Sequence, residues 1–293
     1  MRRQSQRFQS VLCAVDFSPH SSAVLQTATR IASKSGGHLS VLCVDEPLLG
    51  QGAAAVGYDT AALRKSTVDA LRRLTRRIAT RGKLPADAWS VDTVLGQPAP
   101  AIVSYARKKA ADLIVMGTSG RRGPAKLFFG SSAEAVLRRA PAPVLVVPKG
   151  AAVRASRNGH ALGAIELGPH AARDARRMSR AARDLDLSLT LLHVVPVTPG
   201  PPWSAPLLAA KDRARLTSAR TSLERLARST SSRGRVVLGH PDEEIPAVAV
   251  DARASAIVLV LRRGHGLFGR RQGTTTYRVL GSSKVPVLAL PPV

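Results

Sequence analysis

Short runs of aliphatic residues alternate along the chain with longer segments in which apolar residues recur every three or four positions. Residues 11–15 read as a first strand. Ser18-Pro19 reads as a helix start, with serine as the cap and proline at the first helical position. Val24, Ala28, Ile31 and Ser35 follow at helical spacing until Gly36-Gly37 stops them. Residues 39–44 form a second predicted strand. A small-residue loop over 49–57 leads to a helix carrying Leu63, Thr67, Leu71, Leu74 and Ile78, which ends near Gly82. A third strand is expected over 90–95, a short helix over 98–110 with Ile102 and Ala106 on one face, and a fourth strand over 113–116. A helix over 131–139 and a fifth strand over 144–147 complete the series. Short strands separated by helices imply an α/β fold with a parallel sheet covered on both faces. In open sheets of this kind ligands sit beyond the carboxyl ends of the strands, where strand order reverses. Asp16 ends strand one and Gly117 ends strand four, so adjacency of those strands would bring both to one ligand.

The series then repeats. Val11-Leu-Cys-Ala-Val-Asp-Phe-Ser-Pro-His20 aligns with Ala161-Leu-Gly-Ala-Ile-Glu-Leu-Gly-Pro-His170, and Leu39-Ser-Val-Leu-Cys-Val44 with Leu189-Thr-Leu-Leu-His-Val194. Gly96-Gln-Pro-Ala-Pro-Ala-Ile102 aligns with Gly239-His-Pro-Asp-Glu-Glu-Ile245, and Ala142-Pro-Val-Leu-Val-Val-Pro148 with Val285-Pro-Val-Leu-Ala-Leu-Pro291. The offset is 150 in the first two pairs and 143 in the last two. Four matches in order mark a tandem duplication. Domains over 1–150 and 151–293 are expected, with a linker over 149–158.

Composition narrows the class. With 44% hydrophobic and only 3% aromatic residues, the core must be built from Ala, Val, Leu and Ile. No apolar run approaches the roughly 18 residues that would span a membrane. The basic N-terminus is not followed by a signal-peptide apolar region, which points to a cytoplasmic protein. Cys13 and Cys43 each fall in a predicted strand without metal-ligand spacing, so they read as buried small hydrophobes and not as a zinc site. The net charge of +25, spread over both halves, favours polyanions. No basic stretch is interleaved with aromatics for base stacking, and solvated Arg-rich helix faces explain much of the excess.

Candidate chemistry concentrates at residues 116–132, Met-Gly-Thr-Ser-Gly-Arg-Arg-Gly-Pro-Ala-Lys-Leu-Phe-Phe-Gly-Ser-Ser. A strand, a glycine loop and a helix N-terminus cradle phosphates on backbone N–H groups. Gly117 and Gly120 let phosphate approach the backbone, Ser131 and Ser132 can donate hydroxyl hydrogens, and Arg121, Arg122 and Lys126 add positive charge. Ser131-Ser-Ala-Glu134 also fits a capping box, which accounts for Ser131 without a ligand. The spacing is neither a Walker A loop nor the dinucleotide fingerprint, since strand one is followed by Asp16-Phe-Ser-Pro.

Gly117-x2-Gly120-x9-Gly130-Ser131, with Ala14-Val15-Asp16 in strand one and Leu42-Cys-Val44 in strand two, resembles the ATP-binding class of the universal stress protein family. The resemblance covers nearly the whole chain. It implies two tandem five-stranded parallel-sheet domains, Rossmann-like and of the adenine nucleotide alpha hydrolase type. It implies that Asp16 and Val44 contact the adenine and ribose end, that Gly117 lies by the ribose, and that Gly120, Gly130, Ser131 and Ser132 hold the phosphates. Ala14, Val15, Thr118 and Arg121 complete the candidate site. Strand five of such domains pairs across an interface, which implies an internal pseudo-dimer through the segments at Val144 and Val287, with a further homodimer open.

The chain departs from the family pattern in places. Ser119 stands where many members have histidine, and Cys43 where strand two often reads Leu-His-Val, as it does at Leu192-His193-Val194. In the second unit Val260 and Arg263 replace Gly117 and Gly120, Glu166 replaces Asp16, and only Gly273-Thr274-Thr275 survives. Side chains at 260 and 263 obstruct a close backbone approach, so an intact pocket is expected in the first unit and a weak, altered or absent one in the second. Because the second copy forms without them, Gly117 and Gly120 are better explained by a ligand than by the fold. His193 reads as a sheet-end histidine. His160, His170, His240 and His265 are placed in turns without metal spacing, the stretch 221–224 as helix surface, and 196–206 with Trp203 as a proline-rich loop over the second site. The resulting expectation is an ATP-binding stress-response protein, with Mg²⁺ or a water oriented by Asp16 as an option. No second acid or dedicated base marks an enzyme. The alternatives are a slow ATP-hydrolysing or nucleotidyl-transferring enzyme, and a polyanion- or nucleic-acid-binding module with a vestigial pocket.

Overall fold

The computed structural model describes residues 8–46, 60–118, 130–151, 159–201, 203, 205–262 and 275–292. The chain divides into two units, Met1–Ala152 and Val153–Val293. In unit 1, β1 (Ser10–Val15), β2 (His38–Asp45), β3 (Trp89–Leu95), β4 (Leu113–Gly117) and β5 (Val144–Val147) alternate with α1 (Ser21–Ser35), α2 (Thr60–Arg81), α3 (Pro98–Lys108) and α4 (Ser131–Arg139). The strands run parallel in the order β3-β2-β1-β4-β5. Unit 2 carries β6 (His160–Ala164), β7 (Ser188–Val195), β8 (Arg233–Leu238), β9 (Ala256–Val260) and β10 (Val287–Leu290), with α5 (Ala171–Asp184), α6 (Ala205–Ser229), α7 (Pro241–Asp251) and α8 (Thr275–Ser282). Its strands are again parallel, in the order β8-β7-β6-β9-β10. The α/β reading and the parallel sheet in each unit therefore hold.

Aliphatic strands covered on both faces make the core. Leu12, Leu42, Ile114 and Leu145 are fully buried in unit 1, as are Leu191, Ile257 and Leu288 in unit 2. The α1 stripe buries Val24, Leu25, Ala28, Ile31 and Ala32. Its end is set where it was expected, with Gly36 in the left-handed region at φ 67. Gly37 then lets β2 start against the chain before β1: His38 N donates to Gln9 O at 2.7 Å, and a Cβ on Gly37 would lie 2.6 Å from that oxygen. In α2 burial begins at Leu71, whereas Leu63 is 46% exposed.

The helix start expected at Ser18-Pro19 falls later. Asp16 Oδ1 accepts from Ser18 N at 3.0 Å and from Ser21 Oγ at 2.9 Å, and Phe17 sits at φ 60. The turn consumes residues through His20, which caps α1. Proline at the start of α3 behaves as expected, with Gln97 as the cap. The two units also exchange volume under their first helices. Cys13 and Ala28 of unit 1 correspond to Gly163 and Met178 of unit 2, where Met178 Sδ lies 3.0 Å from the Cβ that Gly163 lacks. Neither cysteine forms a disulfide; both are fully buried in adjacent strands, and burial pushes the Cys13 pKa far above its ordinary value. Among the described residues, no helix is long and apolar enough to cross a membrane.

Gly37→Ala is expected to destabilise unit 1 by about 1–3 kcal/mol, the usual cost of forcing extra volume into a packed site. Gly281→Ala in α8, where a Cβ meets nothing within 4 Å, is expected to stabilise by about 0.5 kcal/mol through helix propensity. Urea unfolding of both variants checks the contrast.

Candidate functional site

In unit 1 the strand order reverses between β1 and β4, which are direct neighbours with Cys13 paired to Val115. That register carries Val15 level with Gly117. On the other side Val15 pairs with Cys43, so Val44 lies one residue beyond. Ala14, Val15, Asp16, Val44, Gly117 and Thr118 are thereby gathered at one end of the sheet. Gly120 and Arg121, with Ser119, Arg122 and Lys126, lie outside the described residues.

The start of α4 is tied to this same end. Gly130 N donates to Thr118 O at 2.8 Å, holding Gly130 extended at φ −65 and ψ 139 as the helix cap. Glu134 N donates to Gly130 O at 3.0 Å, the first helical bond. The expected capping box does not form. Ser131 is already the first helical residue, the cap makes no side-chain bond, and the Glu134 carboxylate pairs with Arg138 at 2.6 Å instead. Ser131 is exposed and Ser132 half-buried, so neither hydroxyl is consumed in capping. The backbone N–H groups of a first helical turn have no intrahelical acceptors and carry the positive end of the helix dipole.

A histidine that carried no weight in the sequence reading organises the opposite side. His20 is only 9% exposed, and its Nε2 donates to Val147 O at 2.9 Å, the same carbonyl that accepts from Thr118 N at 3.2 Å. The ends of β4 and β5 and the start of α1 are thus joined at one oxygen. A Cβ on Gly117 would lie 3.0 Å from His20 Cδ2 and 3.5 Å from Val24 Cγ2. Gly117 therefore has a packing reason of its own, beside the expectation that a ligand explains it better than the fold. Unit 2 shows the converse: Val260 stands at the position of Gly117, and His170, at the position of His20, is exposed. The signal was present in the alignment as the pairing of glycine with histidine in one copy and of valine with histidine in the other.

Unit 2 has an open pocket of about 490 Å³ at the carboxyl ends of β6, β7 and β9. Sequence reasoning missed its main polar feature. Arg262 Nη2 lies 3.1 Å from Asp174 Oδ2 and 3.8 Å from Glu166 Oε2, and the Asp174 side chain is 3% exposed. Asp174 occupies the position of Val24, so a carboxylate in the otherwise apolar stripe of the first helix was the available sign. His193 reads correctly as a sheet-end residue, with Nδ1 2.9 Å from Ile165 O. His170 and His240 cap helices, whereas His160 is the first residue of β6 and not part of a turn, and His265 lies outside the described residues. The loop after β7 contributes Pro196 to the cavity and is fastened to α6: Thr198 Oγ1 donates to Asp212 Oδ1 at 2.6 Å, and Arg215 Nη1 donates to Pro196 O at 2.8 Å. The Thr198 bond, ahead of Arg215, holds the Asp212 carboxyl below its ordinary pKa. Trp203 is 85% exposed. Among the described residues, no group of three or more His, Cys, Asp or Glu side chains is placed to hold a metal.

The sequence model of the universal stress protein family matches residues 7–148 and again 158–291. A universal stress protein of Methanocaldococcus jannaschii is 48% identical over 71 residues, covering 23% of this chain and 42% of that relative. One of Thermus aquaticus is 34% identical over 143 residues, covering 48% of this chain and 98% of the relative. The crystal structure of a universal stress protein from Archaeoglobus fulgidus superposes with a TM-score of 0.70 at 20% identity, covering 98% of both chains, and so shares the fold.

The Gly117–His20 contact predicts a measurable coupling. Gly117→Ala is expected to cost about 1–3 kcal/mol in the parent chain and at least about 1 kcal/mol less in a His20→Ala background. A double-mutant cycle by urea unfolding without nucleotide reads this. Simple additivity would show that Gly117 has no packing role.

Proposed function

Because the chain belongs to the universal stress protein family and carries its unit twice, we propose that it is a stress-response protein that binds an adenine nucleotide, ATP, in unit 1. One observation carries the reading: the 2.8 Å bond from Gly130 N to Thr118 O sets the N-terminus of α4 against the ends of β1 and β4, where strand order reverses. Those free N–H groups and the helix dipole suit phosphate, and the Ser131 and Ser132 hydroxyls stand beside them. In this reading Gly120 and Arg121 belong to the same phosphate loop, while Asp16 and Val44 flank the base and sugar.

The reading is binding and not turnover. Among the described residues of this crevice, Asp16 holds the turn before α1 through Ser18 and Ser21, and His20 holds Val147. Asp16 and His20 thus have structural duties. Asp16 is the carboxylate available should Mg²⁺ accompany the nucleotide.

Denaturing the purified protein is expected to release an adenine nucleotide, at about one per chain when the protein is first saturated. At one hundred times its dissociation constant, ATP should stabilise the parent chain by about 2.7 kcal/mol. Gly130→Val keeps dihedrals that any residue adopts but narrows the approach to α4. A hundredfold loss of affinity in it would cut the effect to about 0.4 kcal/mol at the same ATP concentration. No nucleotide binding, or equal stabilisation of both proteins, defeats the proposal. Salt-dependent nucleic-acid binding in its place would favour the polyanion reading.

A further inference from the structure

We propose that the outer face of α2 in unit 1 is a docking surface for the phosphate backbone of a nucleic-acid duplex, engaged without regard to base sequence. Arg73, Arg76, Arg77 and Arg81 fall on that face in the last turns of the helix, and Lys83 follows in the turn that ends it. Residues 73, 77 and 81 lie four apart on one ridge, with 76 beside them. All five residues are exposed. Between Thr60 and Lys83 the only acid is Asp69, and it pairs with Arg72 at 3.7 Å. None of the five side chains forms an ion pair or a hydrogen bond with a described residue. The helix dipole favours a cation in the last turn, which accounts for Arg81. It does not account for Arg73 and Arg76 further back, and like charges four residues apart repel.

The second copy shows that the fold does not require this stripe. Lys83 at φ 55 and Ser231 at φ 52 end the corresponding helices. At that offset the buried Leu71 and Thr75 match the buried Ala219 and Leu223. Thr221, Glu224, Arg225, Ser229 and Ser231 then stand at the positions of the five cations. In unit 2 the one acid among them, Glu224, pairs with Arg228 at 3.7 Å. Cations have thus been gathered on one copy of the helix and interrupted on the other.

The chemistry of the stripe selects its partner. From residue 73 to residue 81 a helix rises about 12 Å, over which one strand of a duplex presents about three to four phosphates. Four of the five cations are arginines, whose planar guanidinium forks suit phosphate oxygens. The stripe has no aromatic residue on which unpaired bases could stack, which favours a duplex over a single strand. These turns expose no large apolar residue to enter a lipid surface. The stripe also lies away from the crevice. It is at the end of α2 that leads into β3, beside the end of α1, where Ser33 Oγ donates to Lys83 O at 3.5 Å. Nucleotide and duplex therefore use separate surfaces of unit 1.

Fluorescence anisotropy of the full chain with a short DNA duplex, an RNA duplex of the same length and the DNA single strand tests the proposal. For the DNA duplex, the logarithm of affinity is expected to fall with the logarithm of salt concentration at a slope of about −4.5, the value for five phosphate contacts. Replacing Arg73→Thr, Arg76→Glu, Arg81→Ser and Lys83→Ser together installs the residues of unit 2. That variant should bring the slope to about −1 and weaken the duplex at least tenfold. A control with Arg176→Ser, Arg213→Thr, Arg220→Glu and Arg225→Ser loses the same net charge from unit 2 and should keep the parent slope within about one unit. Arg76→Gln alone, a conservative change at an exposed site, should reduce the slope by about 0.9. A duplex of either sugar satisfies the proposal, and the one bound more tightly identifies its source. The proposal is overturned if no duplex binds, if the single strand binds more tightly, or if the stripe variant and the control lose affinity equally. Stripe-dependent sedimentation with phosphatidylglycerol vesicles in place of duplex binding also overturns it. ATP stabilisation should be the same in the parent and the stripe variant. Failure of ATP to bind leaves every duplex readout standing, so the two proposals fail separately.

Discussion

Strand β1 pairs with β2 on one side and β4 on the other, all three parallel, and this pairing fixes where the first unit can act. Parallel neighbours need crossovers, and the reversal of order at β1 sends successive helices to opposite faces. A crevice is left at the carboxyl ends that none of the described helices covers. The turn after β1, the last glycine of β4 and the start of α4 converge there because the sheet leaves them no other place. The Val147 carbonyl, taking both His20 and Thr118, then locks the far wall of that crevice to β5.

Duplication turns the chain into its own comparison. The same frame is built with Gly117 against a buried His20 in one copy, and with Val260 and an exposed His170 in the other. Under the first helix a cysteine and an alanine are exchanged for a glycine and a methionine, so volume is conserved while its owner changes. Where unit 1 has Val24, unit 2 has Asp174, and the buried charge is met by Arg262 and Arg173. Each of these changes involves at least two contacting residues. Close packing would make any one of them costly alone.

The parts legible in the sequence were those written in short-range patterns. Aliphatic runs marked four strands of unit 1 and polar–apolar alternation the third, Gly36-Gly37 marked the end of α1, and the matching segments marked the repeat. The start of α1 was misread because Asp16 makes its bonds two and five residues ahead, and side-chain bonding of that kind leaves no periodic trace. The capping box failed for a related reason: a tie from Gly130 to Thr118, across eleven intervening residues, decides where α4 begins. The role of His20 depends on Val147, 127 residues away, and the Arg262–Asp174 pair joins residues 88 apart. Contacts at such separations become visible only once the sheet has been assembled.

The two cysteines complete the picture in a different respect. They are the only thiols in the chain, both sealed in the sheet, and Cys13 is held strongly toward its protonated form. Oxidants and electrophiles attack the exposed thiolate, and this chain offers none in its folded state. A peroxide therefore meets no exposed cysteine thiolate on the folded chain, and oxidation of either thiol would first require the sheet around β1 and β2 to open.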